Sequence, residues 1–528
     1  MAIDEKHHDA KAGISARDDR EHYTCIVMGA GLSGMATAIQ LKRKFGLEDV
    51  LVYEKTDDVG GTWNVNLYPG AASDIPITFY SFSFYPAYQM KSDWASQEAI
   101  KTYLHEVRDK FDLHNVVYHT AVEEARFSRE DGLWHLRVKN VETGQTRHRT
   151  CNILFACLGG LTVPQDPPFD PSSFEGEIFH TAQWPKRYDL TGKDVVVVGN
   201  GCSAAQVVPA ICKTVKSVTQ VARSRQAYLP RPPLPEGPFI RFLINYVWGI
   251  GWLIRTAMFF VMEQGFIASD IEKGAKDRAH LGKSSSPDRY WAVLEPDHEV
   301  SAKRRVYDMG YVQSLNEPNV ELIPDDAVVR AEGKKVYTRG GRELTADFVV
   351  LATGFKVRDY MFPLKVINGE GESLQDRMDK SGSKVFQGTT ISSYPNFFWL
   401  MGPNTTTGHS SVVFTSECQL SLAFHMIRPV LEALSGAPKL LKPAPYVEVK
   451  KEAEDERYAE LRKEMRKKTW EIDNGVSWYT DKKSGLCTAL YPWSQIHFWR
   501  RCTFPDYGDF KWSHCARGSS WRSWLGFY

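Results

Sequence analysis

Two glycine-rich turns, about 170 residues apart, constrain this chain more than any other feature of it. The first, GAGLSG, places Gly29, Gly31 and Gly34 directly after the apolar run Tyr23 to Met28. The second, GNGCSA, places Gly199, Gly201 and Ser203 after Val195 to Val198. Each pattern predicts a strand, a tight turn and the start of a helix. The first glycine permits the turn, the second lets backbone N–H groups approach a pyrophosphate, and the third small residue lets helix pack on strand. Two such units predict an α/β chain with two Rossmann-like dinucleotide-binding domains, the second inserted in the first, plus a helical insertion.

The strand after each turn assigns its nucleotide. Val50 to Tyr53 ends at Glu54, about 20 residues past Gly34, where a carboxylate hydrogen-bonds an adenosine ribose. Val218 to Ala222 ends instead in Arg223-Ser224-Arg225. A carboxylate there would repel a 2′-phosphate, whereas arginine pairs with one. The first site is therefore expected to hold FAD and the second NADPH. Hydride transfer from nicotinamide to flavin is the chemistry that needs both.

Composition narrows the setting. Across 528 residues, Lys+Arg number 65 against Asp+Glu 64, a net charge of +1, which gives no electrostatic case for nucleic acid. The nine cysteines form no CxxC and no Cys/His cluster at zinc spacing, so no metal or disulfide framework is expected. Cys25, Cys157 and Cys202 read as reduced packing residues. Residues 1–21 are polar and read as a disordered tail without a secretory signal, so a cytoplasmic location is expected. Phe239 to Met262 is strongly apolar, interrupted by Arg241, Asn245 and Arg255. Its charge-free core, Phe242 to Ile254, falls short of the ~20 residues needed to span a bilayer. It reads as a buried or pocket-lining helix pair, with peripheral membrane contact as the alternative.

Proline-rich breaks divide the chain. The boundaries read as 22–165 for the first part of the FAD-binding domain and 166–229 for the first part of the NADPH-binding domain. A helical insertion lining the substrate pocket spans 230–302. The NADPH-binding domain resumes at 303–375, and 376–528 returns to the FAD-binding domain and a C-terminal tail. Asn396 to Met401 is predicted as a strand and Val413 to Ser435 as a helix.

Between the two units stands FEGEIFHTAQWP, with Phe174, Gly176, His180, Trp184 and Pro185 in the form FxGxxxHxxxWP. It resembles the fingerprint of Baeyer–Villiger monooxygenases, class B flavoproteins. GAGLSG, GGTW, YPG, SDIPITFYSFSF, this fingerprint, GNGCSAAQ, ATGF and GPNT occur in family order, so the resemblance covers nearly the whole chain. The segment SWYTDKKSG…YPWSQIHFWRR is similar to the branch containing hydroxyacetophenone monooxygenases and fungal secondary-metabolism enzymes. The resemblance implies that NADPH reduces FAD, that a C4a-peroxyflavin forms with O2, and that oxygen is inserted beside a ketone carbonyl to give an ester or lactone. It places Gly61, Thr62, Trp63, Asp74, Tyr80 and Val122 at the FAD site, and Gly199, Gly201, Ser203, Ala204, Gln206, Arg223 and Ser224 at the NADP site. Within AKRRVYD it implies that Arg304 is the active-site cation, oriented by Asp74, while Lys303 and Arg305 read as a solvated basic run. His180 and Trp184 would position the linker between domains. A bulky apolar or secondary-metabolite ketone is the expected substrate.

The alternative within class B is oxygenation of sulfur or nitrogen nucleophiles. A disulfide reductase would need a redox cysteine pair after GGTW, and that region has none. The coenzyme assignment is tested at Arg223. A charge-assisted bond to the 2′-phosphate contributes roughly 1.5–3 kcal/mol, so Arg223→Ala is expected to raise KM for NADPH about tenfold or more. KM for NADH should barely move; equal losses with both coenzymes would count against the assignment.

Overall fold

Short β-branched runs form the centres of two separate sheets in a computed structural model of the protein. The structure describes residues 20–516 except 91, 93, 186–187, 232–236, 248, 275–289, 291–293, 297, 300, 358–360, 362, 437–441, 473–476 and 482. The valine run of Asp194–Val198 is buried on both faces, as a central parallel strand must be. It lies in a five-stranded, all-parallel sheet in the order Val320–Pro324, Ser217–Ala222, Asp194–Val198, Phe348–Leu351, Glu177–His180.

The other sheet has eight strands. His22–Met28 lies between Val50–Tyr53 and Thr146–Ala156, parallel to both. An antiparallel meander of Thr120–Ser128, Leu133–Asn140 and Thr146–Ala156 extends it on one side. The late strand Phe397–Trp399 also joins Thr146–Ala156. The 25-residue helix Val412–Gly436 packs on this domain's core together with the helix Leu32–Phe45. The all-parallel sheet is thus inserted between the early and late strands of the first domain.

Both glycine turns have the expected backbone. Gly29 and Gly199 sit at φ +98° and +128°, which side chains rarely adopt, and a Cβ on either would press on a carbonyl of Cys157 or Ala352. Gly34 is packed harder: its Cβ would lie 1.8 Å from the Gly29 carbonyl oxygen. The helices that follow, Leu32–Phe45 and Cys202–Ile211, have glycine N-caps, no side-chain cap bond and no acidic residue in the first turn. By contrast Ser96, Ser373 and Ser494 cap the helices Gln97–Lys110, Leu374–Ser381 and Gln495–Thr503. Among these five helices, those two leave their first-turn N–H donors without a side-chain cap.

The helical insertion is framed by a parallel pairing of Tyr228–Leu229 with Val306–Tyr307. Within it lie the helices Pro238–Tyr246 and Ile250–Ile267; residues 275–289 lie outside the described residues. Of the two forms expected for the apolar helix pair, buried or pocket-lining, the structure shows the second: among the 18 residues of Ile250–Ile267 the buried ones are Gly251, Arg255 and Glu263, while Trp252, Thr256 and Phe259 line a cleft. Two expectations are corrected. The return to the first domain comes before 375, because Lys365–Ile367 already pairs with Thr120–Ser128. The tail expected over 1–21 ends early: Arg20 pairs with Asp49 at 2.8 Å and the Glu21 carbonyl accepts from Thr150 N–H. Residues 1–19 lie outside the described residues.

The glycine packing separates two variants. Gly34→Ala drives a methyl into the turn's own backbone and is expected to cost at least about 1–3 kcal/mol and the flavin with it. Gly31→Ala meets Gly61 Cα at an ordinary 3.5 Å. Its melting temperature should hold while bound flavin is lost. Thermal melts and flavin absorbance after gel filtration distinguish the two; full flavin retention by both would refute the cradle assignment.

Candidate active site

The first turn is closed over by the GGTW loop. Gly60 N–H donates to the Ala30 carbonyl at 2.9 Å, and Gly31 faces Gly61 across a gap that a Cβ on Gly61 would fill, at 2.9 Å from Gly31 Cα. Thr62–Val65 forms one short helical turn. The Trp63 indole N–H donates to the Tyr80 hydroxyl at 3.3 Å, with the two rings edge to face at 5.9 Å. Glu54 is buried at the end of its strand, where its carboxylate accepts from Ala30 N–H at 2.8 Å and from the N–H and hydroxyl of Thr56. Val122 lies at a bulge in Thr120–Ser128, two residues beyond the Thr120 N–H that holds the Glu54 carbonyl.

At the second turn, a Cβ on Gly201 would meet nothing within 4 Å, so backbone and open space adjoin there. Ala204 is fully buried behind the turn. Arg223 is exposed just past Ser217–Ala222, the Ser224 carbonyl accepts from the Asn200 amide at 3.0 Å, and Arg225 pairs with Asp325 at 3.0 Å. Gln206 faces the other way. Its amide accepts from the Tyr68 hydroxyl at 2.8 Å and donates to the Ala72 carbonyl at 3.0 Å, tying the YPG loop of the first domain to the second.

Asp74 and Arg304, 230 residues apart in sequence, meet between the turns. Arg304 donates to one Asp74 carboxylate oxygen from Nη2 at 2.6 Å and from Nε at 3.2 Å, and to the Thr407 carbonyl from Nη1 at 3.4 Å. Burial opposes the guanidinium charge, but the Asp74 carboxylate more than offsets it, and the pKa moves up. The cation is therefore permanent. The Cys202 thiol, at the start of the second dinucleotide helix, and the buried phenol of Tyr479 also border it. Lys303 and Arg305 are not a solvated run. Lys303 is buried and donates to the Arg225 carbonyl, while Arg305 donates to the Gly265 carbonyl at 3.1 Å near the end of Ile250–Ile267.

The FxGxxxHxxxWP segment forms the edge strand Glu177–His180 and the turn after it. His180 Nε2–H donates to the Gly354 carbonyl at 2.9 Å, and its Nδ1 accepts from Ala182 N–H. Burial lowers its pKa, against the Gly354 bond, so the imidazole is neutral. Gly354 lies in the returning linker, which pairs with the outgoing one through Gln165 N–H to Gly354 and Lys356 N–H to Val163. A Cβ on Gly176 would strike the Phe174 ring, Trp184 packs on Phe348 at 5.9 Å, and Pro185 follows, half-buried.

Sequence reasoning missed the support behind the second turn. Gln220, fully buried, donates to the Gly199 carbonyl and accepts from the Tyr311 hydroxyl, whose ring stacks on Tyr228 at 4.6 Å. A glutamine inside the apolar strand SVTQVA was the available signal, since a buried amide needs partners. Thr407 and Tyr479 carried no signal. Their approach to Arg304 depends on the late segments folding back. His409 pairs with Glu263 at 2.8 Å, both side chains buried.

Two glycine-lined helix ends converging on a carboxylate-held arginine define a two-dinucleotide oxidoreductase. The flavin-binding monooxygenase-like family model matches residues 23–232. An FAD-binding monooxygenase of Aspergillus niger, ktnD, is 32% identical over 509 residues, covering 92% of this chain and 81% of that protein. A Baeyer–Villiger monooxygenase of Pseudomonas aeruginosa is 32% identical over 488 residues, 89% of this chain and 88% of that one. Among solved structures, an oxidized steroid monooxygenase bound to NADP superposes with TM-score 0.75 at 25% identity, over 93% of this chain and 99% of that one. The chain belongs to the Baeyer–Villiger monooxygenase family of FAD-binding monooxygenases.

The geometry makes Asp74 the anchor of the cation. Asp74→Ala is expected to keep its flavin and lower product formation about 10²-fold, the cost of misplacing a group by about 1 Å. Unchanged turnover would show that Arg304 needs no anchor.

Proposed function

We propose that this chain is an FAD-containing, NADPH- and O2-dependent monooxygenase that inserts one oxygen atom beside a ketone carbonyl, giving an ester or lactone. Bound FAD, once reduced by NADPH, supplies the electrons for oxygen activation. The residues fit both groups. Gly29, Gly31 and Gly34, with the donors of Leu32–Phe45, would take the FAD pyrophosphate, and Glu54 its ribose. Gly61, Thr62, Trp63 and Tyr80 would wall the flavin, with Val122 at its adenosine end. Gly199, Gly201, Ser203 and Ala204 would cradle the NADPH pyrophosphate, with Arg223 and Ser224 on the 2′-phosphate. Gln206 would act through the YPG loop it holds.

The observation that carries the reading is Arg304, a permanent cation fixed by Asp74 at the meeting of the two turns. Oxygen insertion into a ketone develops negative charge on oxygen. A planar guanidinium stabilises that charge without titrating, and does so most where water is excluded. Two further features support a bulky apolar ketone. A cleft of about 1310 Å³ runs between the first domain and the helical insertion, lined by Phe79, Phe259 and Phe414 among others. Phe79 adjoins Tyr80. All nine cysteines are free, which supports a reducing, cytoplasmic setting.

Arg304→Ala is expected to go on consuming NADPH while releasing hydrogen peroxide. Its ester product should fall at least ~100-fold, the scale of losing one anion-stabilising donor. Arg305→Ala, whose side chain holds Gly265, should do far less. Product analysis by mass spectrometry across cyclic, aryl and polyketide-like ketones checks the class. Conversion of sulfides or amines and of no ketone would assign the chain to the other branch of class B.

A further inference from the structure

The helix Ile250–Ile267 has its polarity reversed. Residues at four-residue spacing share a helix face, and here Gly251, Arg255, Phe259 and Glu263 form the stripe that docks on the protein. Gly251 lies against the Tyr88 ring, which a Cβ would strike. Arg255 donates to the Thr78 and Ser81 carbonyls at 2.6 and 2.9 Å. Phe259 packs between Phe79 and Phe414. Glu263 accepts from Gln495 N–H at 3.0 Å and pairs with His409. In the preceding helix Arg241 likewise turns inward, donating to the Met90 carbonyl. All three of these charges are thus spent on the protein side.

The outer face carries what remains. Half of the large apolar side chains exposed among the described residues fall between 239 and 267. Phe239 is 71% exposed, Tyr246 77%, Trp252 65% and Val261 69%. The patch continues across the cleft mouth, where Trp252 and Leu253 face Trp499. A surface helix in water puts charge outward and apolar groups inward. One that does the opposite matches an apolar medium, and a contiguous apolar patch marks a contact surface.

We infer that this face docks reversibly on a lipid bilayer, with the helix pair lying in the zone between headgroups and acyl chains. Its lack of outward charge complements hydrocarbon, and Tyr246 and Trp252 have the amphipathic rings that settle at that boundary. Covering by a second copy would close the cleft mouth at Trp252 and Trp499. A bilayer leaves it open to apolar compounds already dissolved in the membrane. The three inward charges hold the long helix on the protein, so it lies on the membrane and does not cross it.

The test is co-sedimentation of the flavin-loaded enzyme with phosphatidylcholine vesicles. Without vesicles the enzyme should stay in the supernatant; with them it should pellet, and high salt should not release it. Phe239→Glu combined with Val261→Glu changes two outward residues that do not line the cleft. This variant should lose vesicle binding at least about tenfold while keeping flavin content, melting temperature and turnover of a small water-soluble ketone. Wild-type enzyme that never pellets with vesicles would overturn the inference. So would equal binding by the variant, binding lost only on removing residues 517–528, or a dimer dispersed by the variant without vesicle binding. Sedimentation does not depend on turnover, so the outcome is independent of the reaction assigned above.

Discussion

The contact between Asp74 and Arg304 joins the two domains at the point where their chemistry must meet. Its worth is positional. A partly buried ion pair repays little more than the desolvation of its members, but removing one partner strands the other. The pair can form only while the domains keep their relative orientation, and several hooks maintain it. Gln206 of the second domain holds Tyr68 and Ala72 of the first, while His180 holds the Gly354 carbonyl of the returning linker. The two linkers then pair with each other through Gln165 and Lys356. The fingerprint histidine is thus part of the frame that brings aspartate to arginine, acting as a neutral ring with both nitrogens engaged.

The same economy appears at the helix ends. Serine caps close three helices elsewhere in the chain, each such cap contributing about 1 kcal/mol. The two dinucleotide helices forgo it. Their first-turn donors carry no side-chain cap, so an anion bound there would add to folding stability. The helical insertion follows an opposite logic. It directs Arg255 and Glu263 into the protein and leaves aromatic side chains outside, which makes its outer face unlike the rest of the surface.

Much of this was legible before any coordinates. The glycine turns rest on local spacing and the partnership of Asp74 with Arg304 on the family resemblance, and the two sheets have the strands those motifs require. The boundary at 375 was misplaced because Lys365–Ile367 is three residues long and its membership depends on a partner strand some 240 positions earlier. Lys303 and Arg305 looked like solvent-facing charge because sequence cannot say which backbone carbonyls will come to meet a side chain.

The sequence by itself determined what is encoded within a few turns of chain: two strand–turn–helix units and the residue types available for catalysis. Only the tertiary structure decided which distant groups surround Arg304, that Gln220 backs the second turn, and which way the apolar helices face. Periodicity marks a stripe on a helix. The direction in which that stripe points is set by what packs against it, and here Gly251, Arg255 and Glu263 found partners on three separate segments of the first domain and its tail.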